Sequence, residues 1–417
     1  MTNSTTDTYT LKRKILSFTK KISKKLKKPE MKFIADITYG MLAANSCLLT
    51  DIADKLHEKS KKINVVDRLS KHLSRGIPKK ALSSYLSWVM RQVPENPTVH
   101  LDDTDIVKPG GYKFEALDLV RDGSGSSDLK SVYKKGYHVT EATVLTESGN
   151  PVSFFSEIYS SKEKSFSSVN TITFSAMERA ARLFGKATFV MDRGYDDNKM
   201  FLKLDELGHD YVIRVARSRK LLLHNKWVKA NELCNRRKGK IKMSLFYHGK
   251  EHTAYISHVK VKITASRKDV YLILVYGITG HPMMLVTNKK IESREDVLKV
   301  AKTYFSRWRI EEFFRSKKQI FQFENFRVRK LKAINALNFY ITLCMAFLAS
   351  ISERPETDKL KVSIIKTANP IKEKVVFCYY RIAKGICYIL SYAKEGTKLW
   401  FRTTRKRYRQ LCLRLNI

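Results

Sequence analysis

The chain reads as an α/β protein: a mixed sheet with helices, interrupted by a β-rich insertion and flanked by N- and C-terminal helical regions. Three observations lead there. Apolar residues at helical spacing give way, after Pro94 and Pro97, to short β-branched runs bounded by turn residues. From there strands and helices interleave rather than segregate, the mark of a mixed sheet. A basic, strand-rich stretch at about 216–280 then separates a strand at 211–215 from another at 283–287.

Charge narrows the partner. Lys and Arg number 80 against 40 Asp and Glu, a formal net charge of +40. Solubility needs far less, so a polyanion is implied, DNA or RNA first. A hydrophobic content of 43% excludes disorder as the reason for the charge. A membrane surface is the competing partner. The uncharged run 333–352 has the length of a span, but Asn335, Asn338 and Thr342 break it, and it reads as a buried helix. No apolar signal core follows the basic start, so a cytoplasmic, nucleoid-associated location is expected and no membrane partner. Six cysteines without CxxC or Cys/His metal spacing read as small core residues in a reducing compartment.

In order, residues 1–30 read as a basic tail, either solvated or gripping phosphate. Residues 31–96 form a helical N-terminal domain expected to bind DNA. Within it Thr50 and Asp51 look like a helix N-cap, and the pair of short helices that follows could form a helix-turn-helix. Any helical bundle matches that motif equally well. Residues 97–332 hold the sheet. A strand at 98–106 runs into Asp102, Asp103 and Asp105, and strands at 136–145 and 152–158 form a hairpin. A helix at about 169–184 precedes a buried strand at 187–191 that stops at Asp192, and another helix leads to 211–215. The insertion reads as all-β, with Trp227 in it either stacking or structural. Residues 333–417 read as a helical, basic C-terminal region ending in the cluster 402–409.

Two features carry chemistry. In a chain this basic, acids that end apolar strands are costly unless a cation meets them. Divalent metal does so, because Mg²⁺ takes oxygen ligands and keeps waters and phosphate oxygens in its shell. The second feature is the stretch 304–318, which has neither Pro nor Gly and so reads as one unbroken helix. On such a helix Tyr304, Arg307, Glu311 and Lys318 fall within an arc of roughly 60°. The bland alternatives are a solvated ion pair on the helix, a capped turn at Asp192 and a polar turn at Asp102 to Asp105.

The spacing Tyr304-x-x-Arg307-x-x-x-Glu311-x-x-x-x-x-x-Lys318 resembles the tyrosine-arginine-glutamate-lysine signature of bacterial insertion-sequence transposases of the DDE class, the insertion-sequence-four type. Asp192-Arg193-Gly194-Tyr195 looks like that family's second acidic motif, and Asp102-Asp103-Thr104 like its first. Asp102 fits the Asp-x-Thr pattern best. Asp103, in phase with Val99 and Leu101 on the strand, stays open as the alternative. The resemblance spans 98–330 and implies a ribonuclease-H-like core that cuts transposon ends and joins the freed 3′-hydroxyls to target DNA in cut-and-paste transposition. It implies Asp102, Asp192 and Glu311 as the catalytic, metal-binding acids, with Asp103 as a further candidate ligand. It implies two Mg²⁺ ions, replaceable by Mn²⁺, and Tyr304, Arg307, Lys318 and Arg193 as DNA-binding residues. Double-stranded DNA with terminal inverted repeats, target DNA and a homodimer in the DNA complex complete the expectation. The rivals are a ribonuclease-H-type nuclease, a catalytically inactive transposase-derived DNA-binding protein, and an RNA-binding protein. No aromatic-rich recognition strand supports the last.

Overall fold

The computed structural model describes residues 3–123, 125–126, 130–247, 250–368, 378–398 and 400–401. Five helices come first: α1 (Asn3–Ser23), α2 (Lys28–Ala44), α3 (Leu49–Leu56), α4 (Lys62–Ser74) and α5 (Lys79–Met90). The expected tail is therefore a helix. Leu11, Ile15, Phe18 and Ile22 recur at three- and four-residue steps, and all four are buried. Phe18 meets Trp88 and Phe347, so α1 belongs to the core, while Lys14, Lys20 and Lys21 face outward. The expected cap at Thr50 and Asp51 also differs. Leu48 is the N-cap residue, and Asp51 instead accepts a 2.7 Å hydrogen bond from the Ser46 hydroxyl.

The sheet begins with β1 (Thr98–Val107), β2 (Asp118–Arg121), β3 (Tyr133–Leu145) and β4 (Pro151–Tyr159). Helix α6 (Val169–Phe184) crosses to β5 (Thr188–Met191), and α7 (Asn198–Glu206) crosses to β6 (Asp210–Arg214). Strands β4, β3 and β1 pair antiparallel, whereas β1, β5 and β6 run parallel. The order β4-β3-β1-β5-β6 is that of a ribonuclease-H-like sheet, with β1 central. Gly136 of β3 is needed there, since a Cβ at that position would lie 2.2 Å from the Ile106 carbonyl oxygen of β1.

The insertion extends this sheet instead of standing apart. It comprises β7 (Lys220–Leu223), β8 (Lys226–Lys229), α8 (Ala230–Asn235), β9 (Ile241–Tyr247), β10 (Lys250–Ile263) and β11 (Asp269–Tyr276), and it returns through β12 (Met283–Thr287). β12 pairs with β6 and with β11, so the hydrogen-bonded ladder is continuous. Helix α8 makes the unit β-rich rather than all-β: Ala230, Leu233 and Cys234 are buried on one side of it. Trp227, paired with Leu222 across the β7–β8 hairpin, is half exposed.

The expected single helix over 304–318 is two helices, α9 (Arg294–Phe305) and α10 (Trp308–Ile320). Around the break, Arg307, Arg309 and Ile310 donate to carbonyls three residues back, a tightened turn. The cause is tertiary. The Ser306 hydroxyl donates to the Thr303 carbonyl at 2.7 Å and meets Nε2 of buried His100 on β1 at 2.8 Å. A serine that bonds back to its own helix weakens the regular ladder, and His100 fixes it in that state.

The remaining helices are α11 (Leu331–Ser352), α12 (Lys359–Thr367) and α13 (Tyr379–Ser391). α11 is long and apolar enough to cross a membrane, but 89% of its apolar window is buried inside the fold. Phe33 of α2 packs edge-on against Tyr340 of α11, so the first and last helical regions share one core. The basic cluster 402–409 and Cys412 lie outside the described residues. The other five cysteines are free thiols.

Candidate active site

The parallel pairing of β1 and β5 places two acids together. Register runs Thr98 with Thr188 to His100 with Val190, and two residues further along each strand stand Asp102 and Asp192. Asp192 follows the last residue of β5. Asp102 lies in the middle of β1 and not at the strand end expected from the sequence, because β1 stays paired with β3 as far as Val107. The two carboxylates therefore stand on neighbouring strands. Asp192 begins the 3-10 turn Arg193–Tyr195 and accepts a hydrogen bond from the Gly194 N–H. Arg193 is exposed on that turn.

Alternation along β1 separates the two candidate aspartates. His100 and Asp102 face the α9–α10 junction, while Asp103 and Asp105 face the other way. Asp103 accepts from the Thr140 hydroxyl and from Tyr195 at 2.8 Å, and Asp105 pairs with His138 at 2.8 Å. Asp102 receives Arg307, whose Nη1 lies 2.8 Å from Oδ2. The other arm of the same guanidinium contacts Glu311 Oε1, one helical turn later. Tyr304 is buried at the end of α9; burial raises its phenol pKa, and the charge of Arg307 beside it opposes the rise. The geometry therefore gathers Asp102, Asp192, Tyr304, Arg307 and Glu311. Lys318 lies apart: its Nζ donates to the Asp105 carbonyl at 2.6 Å and pairs with Glu324 at 3.1 Å.

Charge is strained where the acids meet. Burial pushes the Asp102 carboxyl up to about 7; Arg307 opposes the rise and the charge of Asp192 adds to it. Burial raises Asp103 as well, against its hydrogen bonds from Thr140 and Tyr195. Burial, then Arg307 and Arg309, push His100 down to about 3, so it is neutral at pH 7. Burial alone would loosen the Arg307 proton, yet Asp102 and Glu311 overcome it and hold the guanidinium charged.

On the Asp103 side of β1 lies an open cleft of about 830 Å³, lined among others by Asp103, Asp105, Arg121, Lys134, Lys318 and Arg327. It is a groove of mixed charge. Asp196, by contrast, is a brace. Arg219 donates Nε to Asp196 Oδ1 at 2.7 Å and Nη1 to Asn198 Oδ1 at 2.8 Å, tying the turn after β5 to the insertion.

Sequence reasoning missed three participants. His100 was legible, since it precedes Asp102 by two on the same strand face. Arg219 had no local signal. Lys317 is buried against Glu141 at 2.7 Å, while its neighbour Lys318 drew attention through its spacing.

Hard oxygen donors are the chemistry a divalent cation such as Mg²⁺ requires. Asp102 and Asp192 offer them side by side and Glu311 lies across Arg307, so the residue types fit. Among the described residues no three His, Cys, Asp or Glu side chains converge on one point, because the guanidinium bridges Asp102 to Glu311.

Residues 166–347 match the family model described as the Transposase DDE domain. That span, under half of the chain, contains Asp192, Arg307 and Glu311 and leaves Asp102 outside it. The sequence matches none of the curated proteins compared with it. Among solved structures, the piggyBac transposase in a synaptic complex with hairpin DNA, seen by cryo-EM, is similar over 88% of this chain and 84% of that one, with a TM-score of 0.37 and 11% identity.

Proposed function

We propose that this protein is a DNA transposase that cleaves the ends of a mobile element and joins the freed 3′-hydroxyls to target DNA. The observation that carries the reading is the nearness of Asp102, in mid-strand on β1, to Asp192, just past the end of the parallel neighbour β5, with Glu311 brought alongside by Arg307. The match of 166–347 to the Transposase DDE domain supports it.

Asp102, Asp192 and Glu311 would hold divalent metal, Mg²⁺ by preference and two ions by analogy with other phosphoryl-transfer sites. When bound, the metal supplies charge neutralisation at the scissile phosphate and acidifies the attacking oxygen. The chain's own contribution is placement. β1 and β5 fix the two aspartates, His100 and Ser306 set the break that aims Arg307, and buried Tyr304 braces the guanidinium. Lys318, Arg193 and the cations of the cleft would hold the DNA backbone, with terminal inverted repeats and target as its two forms. Cutting two ends in one complex calls for a homodimer.

The test is incubation of the purified protein with its own flanking DNA and Mg²⁺, followed by mapping of cleaved and joined strands. Joined product separates a transposase from a nuclease that only hydrolyses. Asp192→Asn or Glu311→Gln should lower cleavage by about a thousandfold or more, some 4 kcal/mol of transition-state stabilisation, while end binding persists. A variant that cuts at the wild-type rate would remove its residue from the chemistry.

A further inference from the structure

Arg307 spends both arms of its guanidinium inside its own site. Nη1 lies 2.8 Å from Asp102 Oδ2, Nη2 contacts Glu311 Oε1, and the side chain is only 17% exposed. Those oxygens belong to two of the three acids assigned above to the metal, so the inference rests on that reading. An arginine is charged at every accessible pH, and a divalent ion beside it would meet like charge at close range. The same planar fork suits a phosphodiester as well as it suits two carboxylates.

We propose that Arg307 is a resident counter-cation and gate. Its guanidinium holds Asp102 and Glu311 in place before metal arrives, competes with the ion for their oxygens, and leaves them for a DNA phosphodiester when substrate enters. The residue is placed for such a swing. It sits at the α9–α10 break with ordinary right-handed backbone angles, so side-chain torsions alone can move it. Glu311, 42% exposed, has room to turn once released. The acids would then never stand uncompensated, and DNA and metal would each favour the other's binding, because coupling between two ligands is reciprocal.

The experiment is a titration of the full-length protein with Mn²⁺ alone, without DNA, followed by electron paramagnetic resonance. Arg307→Gln should bind Mn²⁺ about tenfold tighter than the wild type, roughly 1.4 kcal/mol, and Arg307→Lys should fall between. In metal-free buffer the melting temperature of Arg307→Gln should drop, and Mn²⁺ should raise it further than it raises the wild type's. Asp192→Asn serves as the control that the Mn²⁺ signal comes from this site. Unchanged or weaker Mn²⁺ binding in both Arg307 variants, with Asp192-dependent binding intact in the wild type, overturns the gate and leaves the metal reading standing. Absence of Asp192-dependent Mn²⁺ binding in every protein overturns both. Should Arg307→Gln fail to fold, the comparison of Arg307→Lys with wild type decides in the same way.

Discussion

The α9–α10 break and the far end of α10 pose the same physical problem and solve it differently. Asp102 and Glu141 stand directly opposite each other on β1 and β3, a placement that repels. Each receives a cation from the helix above. Lys317 closes on Glu141 in a buried pocket, with side chains 3% and 0% exposed; Asn338 accepts from Lys317, and the Ser156 hydroxyl donates to Glu141. Arg307 meets Asp102 and Glu311 in a place open on one side, at 17%, 19% and 42% exposure. One pair is sealed and structural. The other is accessible to solvent and to ligands, which is what a site of exchange requires. A shared charge pattern says little about role until burial is known.

The largest effect should come from breaking the sealed pair. Lys317→Met leaves Glu141 buried without its partner and should cost about 3–5 kcal/mol in chemical denaturation. Replacing both partners together, Lys317→Met with Glu141→Leu, should recover much of that loss. A single variant that costs under 1 kcal/mol would mean that water reaches the pocket and that the contrast between the two ends is false.

Next in size is the pH dependence of the open cluster. The Asp102 carboxyl is raised to about 7 in the folded protein against an ordinary 3.8, so the folded state binds its proton more tightly than the unfolded chain. Its contribution is therefore complete below about pH 4 and is lost as pH rises through 7. In metal-free buffer the wild-type melting temperature should fall between pH 5 and 8, and Asp102→Asn should flatten that slope. An identical slope in the variant would place the titration elsewhere, on Asp103 for example, which is raised in the same direction.

The smallest effect should be at Lys318, one residue from Lys317 and ten times more exposed in its side chain, 30% against 3%. Lys318→Ala should change stability by no more than about 1 kcal/mol, the scale of a surface ion pair. Its consequence should appear in DNA binding, as a shallower salt dependence of affinity. A large loss of stability there would erase the distinction between the neighbours.

Much of the fold is legible in the sequence. The apolar run that stops at Asp192 marks β5, and the switch of period after Pro97 marks where the sheet begins, but the acids at 102–105 do not end their strand, since β1 continues to Val107. Strand β2 is not legible in the sequence because four residues are too short to carry a periodic signal. Helix α1 reads as a tail because its polar start and the Lys-rich run up to Pro29 mask an apolar stripe whose partners, Trp88 and Phe347, lie far along the chain. In the candidate site, Glu311 and Arg307 were found by spacing, while Lys317 and Arg219 depend on partners 176 and 23 residues away.

What the sequence determined by itself was therefore local and periodic: which stretches alternate, which stretches wind, where acids interrupt them, and how large the positive surplus is. Only the folded chain decided between Asp102 and Asp103 as the neighbour of Arg307, since a strand's alternation shows that they diverge but not which face meets the helix. Only the folded chain broke the helix at Ser306, through a histidine 206 residues earlier. Backbone periodicity is written in neighbouring residues, whereas burial and charge pairing are set by whichever distant segment closes over them.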